Sequence, residues 1–194
     1  MNSPAGLLAL AALHRERQDF DQAERMLRHI VRLDPDDVEA WRLLGQVCHE
    51  QADFNEAHRS VSRAIELDPT RADLYRDLGL ICLDAGLVDD ALDNLQQAVH
   101  LSPTDDQLHY SLGLVLLQYG NLIGARLRFQ QAIRLRADFV EAWQNLAITC
   151  QQQGDMESAL VCFRQVYALR RDWPEAGANL HRVLRLLGRR EDAA

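Results

Sequence analysis

Lysine is absent from this chain of 194 residues, and all 21 of its basic residues are arginine. P-loop nucleotide sites, kinase phosphate anchors and Schiff-base enzymes all need a lysine amine, so the sequence excludes these chemistries. Basic charge is also scarce relative to acidic charge, because the formal net charge is −8. Nucleic-acid binding needs a basic footprint, so the charge balance argues against a nucleic-acid partner.

Long apolar runs and catalytic motifs are missing as well. No stretch of the sequence reaches the roughly 18 apolar residues of a membrane-spanning helix, so we expect no membrane insertion. The apolar start of the chain lacks the positive segment of a secretory signal, and we interpret it as a first helix. No nucleophile elbow, zinc-protease motif or glycine-rich phosphate loop is present. The sequence therefore predicts a soluble, cytoplasmic protein that is not an enzyme and has no cofactor, catalytic residue or metal site.

A pattern of residue types recurs every 34 residues and is clearest in 38–71. One apolar stripe at helical spacing is formed by Trp41, Leu44, Gly45 and Cys48. A second stripe follows after a short polar segment and is formed by Ala57, Val61 and Ala64. Asp68 precedes Pro69 and ends the second helix, because proline disfavours helical geometry in the residue before it. Each unit is thus predicted to be a helical hairpin that must stack on its neighbours to bury its apolar surface.

The same spacing divides the whole chain into units. We interpret residues 1–194 as a single array of five full repeats and a partial sixth, with bounds 4–37, 38–71, 72–105, 106–139, 140–173 and 174–194. Side-chain oxygens at the starts of the units are suited to cap backbone N–H groups. The predicted N-caps of the first helices are Asp36 or Asp37, Thr70, Thr104, Asp138 and Asp172.

Trp41-x-x-Leu44-Gly45, followed by Ala57, Ala64 and Pro69, resembles the signature of the tetratricopeptide repeat, and it returns across nearly the whole chain. The resemblance implies an all-α fold, a right-handed α-solenoid of stacked helical hairpins. It also implies that the first helices line a concave groove, that the second helices form the convex back, and that a protein or peptide partner binds in the groove.

First-helix residues outside the apolar stripe are predicted to face that groove. The central ones are large and apolar, which favours an amphipathic helix or an apolar segment as the ligand. Burial of each such side chain against a partner would contribute roughly 1.5–3 kcal/mol. Packing against the neighbouring hairpin is an equal alternative for individual leucines, and a solvated side chain is the alternative for His49. The predicted partner-binding residues are Arg42, Gln46, His49, Arg76, Leu80, Leu83, Tyr110, Leu114, Leu117, Gln144 and Ile148.

Two subfamily functions fit the sequence poorly. Family members that hold the C-terminal carboxylate of chaperones use lysine and asparagine at fixed positions, where this chain has Arg42 with Gln46. The asparagine ladder of O-linked N-acetylglucosamine transferases is matched only at Asn145 and Asn179. The resemblance therefore predicts neither chaperone-tail binding nor full recognition of an extended peptide backbone.

The four cysteines are predicted to be core thiols. Cys48, Cys82 and Cys150 share one repeat position, and Cys162 lies on a second helix. Equivalent positions in neighbouring hairpins are about 8–10 Å apart, which is farther than a disulfide spans. Their spacing does not match a zinc site either. His109 stands where other units have an aromatic residue, and we expect it to lie in the core.

Both ends of the predicted array lack the polar caps that solenoids usually need. We therefore expect association between copies of the chain, or continuation into a longer solenoid or an attached enzyme. The alternative is that the terminal helices curl over the core. A second function also stays open, that of a substrate-docking or regulatory module of a larger enzyme such as a glycosyl- or sulfotransferase.

Overall fold

The computed structural model of the protein describes residues 4–188, and the side chains of 6–188. Within this range the chain forms eleven α-helices joined by short turns, with no strand. The chain divides after Ser102 into two compact units. The all-α fold of helical hairpins predicted from the sequence is confirmed, whereas the grouping of all repeats into a single array stays a prediction.

The first unit contains three helical hairpins. Its helices are α1 (Pro4–Glu16), α2 (Phe20–Leu33), α3 (Val38–Glu50), α4 (Phe54–Leu67), α5 (Ala72–Asp84) and α6 (Val88–Leu101). The hairpins pair α1 with α2, α3 with α4 and α5 with α6, and within the unit α2 packs on α3 and α4 packs on α5. Successive hairpins therefore stack in chain order, and each second helix contacts the first helix of the next hairpin.

The second unit repeats this arrangement with two hairpins and a further first helix. Its helices are α7 (Asp106–Gln118), α8 (Leu122–Leu135), α9 (Val140–Gln152), α10 (Met156–Leu169) and α11 (Pro174–Leu186). Within this unit α8 packs on α9 and α10 packs on α11. In both units, every first helix begins at the residue where the 34-residue spacing opens a repeat.

Small residues let the two helices of a hairpin approach closely. A Cβ atom added at Gly79 would lie 2.7 Å from Leu95 Cγ, and one added at Gly113 would lie 2.6 Å from a ring carbon of Phe129. Glycine at this position leaves room for the large side chain of the opposing helix. Phe129 and Leu95 are consequently fully buried, which secures the hairpin through apolar contact.

The aromatic position of the repeat makes the same hydrogen bond in three hairpins. Trp41 Nε1 donates to the carbonyl oxygen of Pro35 (2.8 Å), and Trp143 Nε1 donates to that of Ala137 (2.8 Å). His109 takes the place of the tryptophan in the α7–α8 hairpin, and its Nε2 lies 3.0 Å from the Pro103 carbonyl oxygen. Because a carbonyl only accepts, this nitrogen carries the proton. His109 is buried, in agreement with the expectation that it takes the place of an aromatic residue.

The predicted N-caps are right only for α3, where the Asp37 carboxylate accepts from the Ala40 N–H at 2.9 Å. The predictions of Thr70, Thr104, Asp138 and Asp172 are wrong, because each first helix starts one residue later than they require. The N-cap residues there are Arg71, Asp105, Phe139 and Trp173. At α5 the Thr70 hydroxyl donates to Asp68 instead (2.6 Å), in a local turn that precedes the helix.

Candidate functional site

The first helices of each unit lie side by side and present a common surface. Helices α3 and α5 contact each other in the first unit, and α7 and α9 do so in the second. We call this surface the first-helix face of each unit. In the first unit it comprises Glu39, Arg42, Gln46, His49, Asp73, Arg76, Leu80 and Leu83. In the second unit it comprises Gln107, Tyr110, Leu114, Leu117, Glu141, Gln144 and Ile148.

The first-helix face of the first unit is organised around the carboxylate of Asp77, which is only 7% exposed. Arg42 Nε donates to Asp77 Oδ2 at 2.9 Å, and Gln46 Nε2 donates to the same oxygen at 2.6 Å. Arg76 Nη2 donates to Oδ1 at 3.0 Å. One buried carboxylate therefore holds three residues that were predicted to contact a partner. Their hydrogen bonds in turn compensate the buried charge of Asp77.

This network extends along the face on both sides. Arg15 Nη1 on α1 donates to Gln46 Oε1 at 2.6 Å, so hydrogen bonds link α1, α3 and α5 in sequence. On the other side Arg42 also pairs with Asp73 at 3.1 Å, and Arg71 pairs with Asp73 at 2.6 Å. The charged side chains on the first-helix face of the first unit thus form an ordered network of ion pairs and hydrogen bonds.

The ion pairs of this network shift the pKa values of Arg42 and Asp73. Burial opposes the charge of Arg42, but the carboxylates of Asp77, Glu39 and Asp73 outweigh it and raise the pKa of the guanidinium. Burial likewise opposes ionisation of Asp73. Hydrogen bonds from Arg71 and the charge of Arg42 prevail and hold the pKa of Asp73 below its ordinary value. Both groups remain charged near neutral pH.

His49, for which a solvated side chain was one alternative, has a partner within the protein. Its Nε2 lies 2.7 Å from Asp84 Oδ2, and its ring lies 5.9 Å from the ring of Phe54. Leu80 and Leu83 lie on the same helix as Asp84 and are half-buried, so they keep part of their apolar surface open to solvent. The first-helix face of the first unit therefore combines an ordered network of polar side chains with two partly exposed leucines.

The first-helix face of the second unit has a different character. Tyr110 lies between Phe129 and Phe139, with ring-centroid distances of 5.9 and 4.8 Å, and its hydroxyl accepts from Asn145 Nδ2 at 3.1 Å. Burial and the nearby carboxylate of Glu141 raise the pKa of the Tyr110 phenol. The tyrosine ring is therefore a neutral and firmly held part of this face.

Around Tyr110 the face of the second unit is apolar. Leu114, Leu117 and Ile148 pack against the core of the unit but remain half-buried rather than sealed. Gln144 is half-buried beside them, and the only ionisable carboxylate on this face is that of Glu141. Large apolar side chains that keep open surface are typical of sites that bind apolar ligands or partners.

Asp77 was not predicted to take part in the first-helix face, and Asn145 was predicted only as a match to the asparagine ladder. Both stand one residue before the signature leucine, at the position that Ser111 also occupies. The available signal was a polar residue at a position that is otherwise close to the core. The sequence could not show that the residues bonded to Asp77 come from two different helices.

Two further expectations concern metals and membranes. Within the described part of the chain, no cluster of three or more histidine, cysteine or acidic residues is placed to hold a metal ion. No helix among the described residues is long and apolar enough to cross a membrane.

The stacked hairpins and the polar and apolar first-helix faces define a helical-repeat protein. Profiles described as tetratricopeptide repeat match residues 4–47, 38–71 and 140–172, and one described as TPR repeat matches 79–120. The chain belongs to the tetratricopeptide repeat family. Among curated proteins no match to the chain is found.

Solved structures with the same fold are numerous. The crystal structure of MamA is similar at 26% identity and a TM-score of 0.75, over 84% of this chain and 95% of that one. PilW, described as a widely conserved type IV pilus biogenesis factor, is similar at 17% identity and a TM-score of 0.87, over 100% of this chain and 90% of that one. YrrB, described as a TPR protein with an unusual peptide-binding site, is similar at 22% identity and a TM-score of 0.70, over 88% of each chain. PilW and YrrB bear on the fold alone.

Proposed function

We propose that the protein is a non-catalytic scaffold that binds an apolar or amphipathic segment of a partner protein on its first-helix faces. The observation that carries this proposal is the cluster of half-buried Leu114, Leu117 and Ile148 around the fixed ring of Tyr110. These side chains retain apolar surface that a partner would remove from water, and each is worth roughly 1.5–3 kcal/mol on full burial. Membership of the tetratricopeptide repeat family, whose members mostly bind peptides or helices of other proteins, supports the proposal, and YrrB, which shares the fold, is described as having a peptide-binding site.

Each face is proposed as a contact surface in its own right. The second unit supplies the apolar contacts that drive binding, with Gln144 as a neutral hydrogen-bonding group. The first unit by itself offers a polar surface, because Arg42, Gln46 and Arg76 are already ordered by Asp77, and it also offers the half-buried Leu80 and Leu83. Ordering side chains before binding lowers the entropy that association costs. We place this function in the cytoplasm, since the four cysteines are free thiols.

The experiment compares matched leucine substitutions. Peptides selected from a random displayed library against the wild-type protein would be measured for affinity to Leu117→Glu and to Leu127→Glu. Leu127 lies on the second helix α8 and is 60% exposed, so its substitution adds the same charge away from the proposed face. We expect Leu117→Glu to weaken binding by about tenfold or more, because an apolar contact is replaced by a desolvated charge.

The control should leave the affinity nearly unchanged, and Leu83→Glu would show whether the first unit takes part. Circular dichroism of each variant establishes that the helices are intact. Peptides that bind Leu117→Glu as tightly as wild type, or that lose affinity only with Leu127→Glu, would refute the proposed face.

A further inference from the structure

Two cysteines meet inside one hairpin of the second unit. Cys150 lies on α9 and Cys162 on α10, and their thiols hydrogen-bond to each other. The residues are 1% and 5% exposed, and no disulfide joins them. The distance between neighbouring hairpins, which argues against other disulfides, does not apply to this pair, because both cysteines belong to one hairpin. Because both side chains also line one cavity, the two sulfur atoms are neighbours, which a disulfide requires.

The pair adjoins a cavity of about 360 Å³ between α8, α9 and α10. Both cysteines line this cavity together with Arg126 and Ser158. Val161 also lines the cavity and is 61% exposed, so the cavity reaches the surface of the protein. A small molecule therefore has a route to sulfur atoms that are otherwise enclosed by the core.

The surroundings make the two thiols unequal. The hydrogen bond from Cys162 lowers the pKa of Cys150, and the positive charge of Arg126 acts in the same direction against burial and Asp155. The same hydrogen bond, together with burial, raises the pKa of Cys162. Arg126 is itself held in place by Asp155 Oδ2 at 2.9 Å and Gln153 Oε1 at 3.0 Å. Cys150 is thus disposed to act as the thiolate and Cys162 as the protonated partner.

The other buried cysteines provide an internal comparison. Cys48 and Cys82 occupy the same repeat position as Cys150 and are equally buried. Burial raises the pKa of Cys48 to about 12 and also raises the pKa of Cys82. Neither residue lines this cavity. The arrangement at Cys150 therefore does not follow from its repeat position.

We propose that Cys150 and Cys162 form a site of oxidation by small hydroperoxides, which convert the pair into a disulfide within the α9–α10 hairpin. The Cys150 thiolate attacks one peroxide oxygen, the O–O bond breaks, and the leaving alkoxide or hydroxide takes up a proton. Cys150 is then a sulfenic acid. The Cys162 sulfur attacks the Cys150 sulfur, the S–S bond forms, and the hydroxyl group leaves as water with the Cys162 proton. Two thiols lose two electrons, and the peroxide bond gains them.

The test uses the full chain and hydrogen peroxide as the probe. Reduced protein is exposed to peroxide, remaining thiols are alkylated after unfolding, and the peptides are identified by mass spectrometry. We expect a Cys150–Cys162 cross-linked peptide to form about tenfold or more faster than any oxidation of Cys48 or Cys82, since oxidation follows thiolate character and access.

Variants separate the steps of the reaction. Cys162→Ser removes the second sulfur, so Cys150 should accumulate as a sulfenic acid that a carbon nucleophile such as dimedone traps. Cys82→Ser removes a thiol of the same repeat position and should leave disulfide formation unchanged. Circular dichroism checks that both variants fold, and the wild-type measurement stands without them. Absence of the cross-linked peptide in wild-type protein, or oxidation of all four cysteines at one rate, would overturn the proposal.

Discussion

Asp77 is the central acceptor of the hydrogen-bond network on the first-helix face of the first unit. Its carboxylate, nearly closed to solvent, receives hydrogen bonds from Arg42, Gln46 and Arg76. Removing it would leave the partly buried guanidinium of Arg42 with the more exposed carboxylates of Glu39 and Asp73. A charge that loses its buried partner destabilises the fold more than an exposed ion pair stabilises it.

We expect Asp77→Ala to lower the free energy of unfolding by about 1.5–3 kcal/mol, the range for hydrogen bonds to a charged group. Asp84→Ala is the matched control, because Asp84 lies on the same helix, is exposed and bonds only to His49 among the hydrogen bonds described. Its effect should stay below about 1 kcal/mol. Denaturant titration of both variants measures the difference. Equal losses in the two variants would show that Asp77 does not organise the face.

At the scale of the helices, the need for glycine depends on what the neighbouring helix places opposite it. Gly113 faces the ring of Phe129, whereas Gly177 on α11 would place a Cβ atom 3.7 Å from the ring of Tyr167, an ordinary contact. The same substitution should therefore act in opposite directions at these two helical positions.

We expect Gly113→Ala to destabilise the protein by about 1–3 kcal/mol, because Phe129 is fully buried and cannot move aside freely. Gly177→Ala should instead stabilise α11 by about 0.5–1 kcal/mol, since alanine favours helix over glycine. Thermal and chemical unfolding of the two variants provide the check. A Gly113→Ala protein as stable as wild type would mean that the hairpin is loosely packed.

The helical hairpins could be predicted from the sequence, but most of their N-caps could not. Regular spacing of apolar residues such as Leu44 and Ala57 predicted the hairpins, because the same signal repeats in every unit. The caps were misplaced at α5, where Asp68 draws the Thr70 hydroxyl away from the helix. Such local competition depends on side-chain geometry that periodicity does not contain.

The candidate faces were only partly predictable for a related reason. Repeat register identified the half-buried Leu114, Leu117 and Ile148, because outward positions follow from helical geometry. It did not reveal that Asp77 gathers residues from α3 and α5, or that Cys150 meets Cys162. Both contacts depend on how two helices are rotated relative to each other, and composition and spacing leave that rotation undetermined.

At the scale of the whole molecule, exposed leucines favour association between copies. Leu10 and Leu13 on α1 are 43% and 38% exposed, on a helix with few polar side chains. We expect the weight-average mass in sedimentation equilibrium to rise with concentration, because apolar patches gain free energy when they are covered. Leu13→Glu should suppress this rise, whereas Leu33→Glu, at an exposed leucine near the end of α2, should not. A monomer at every concentration would contradict the expectation.

The most direct test of the proposed function is site-specific photocross-linking with a bound peptide. A photoreactive aromatic residue replaces Leu117 in one protein and Leu127 in another, and each is irradiated with the same selected peptide. Binding on the first-helix face of the second unit predicts a covalent adduct at position 117 and none at position 127. An adduct formed at position 127, with position 117 unreacted, would contradict the account.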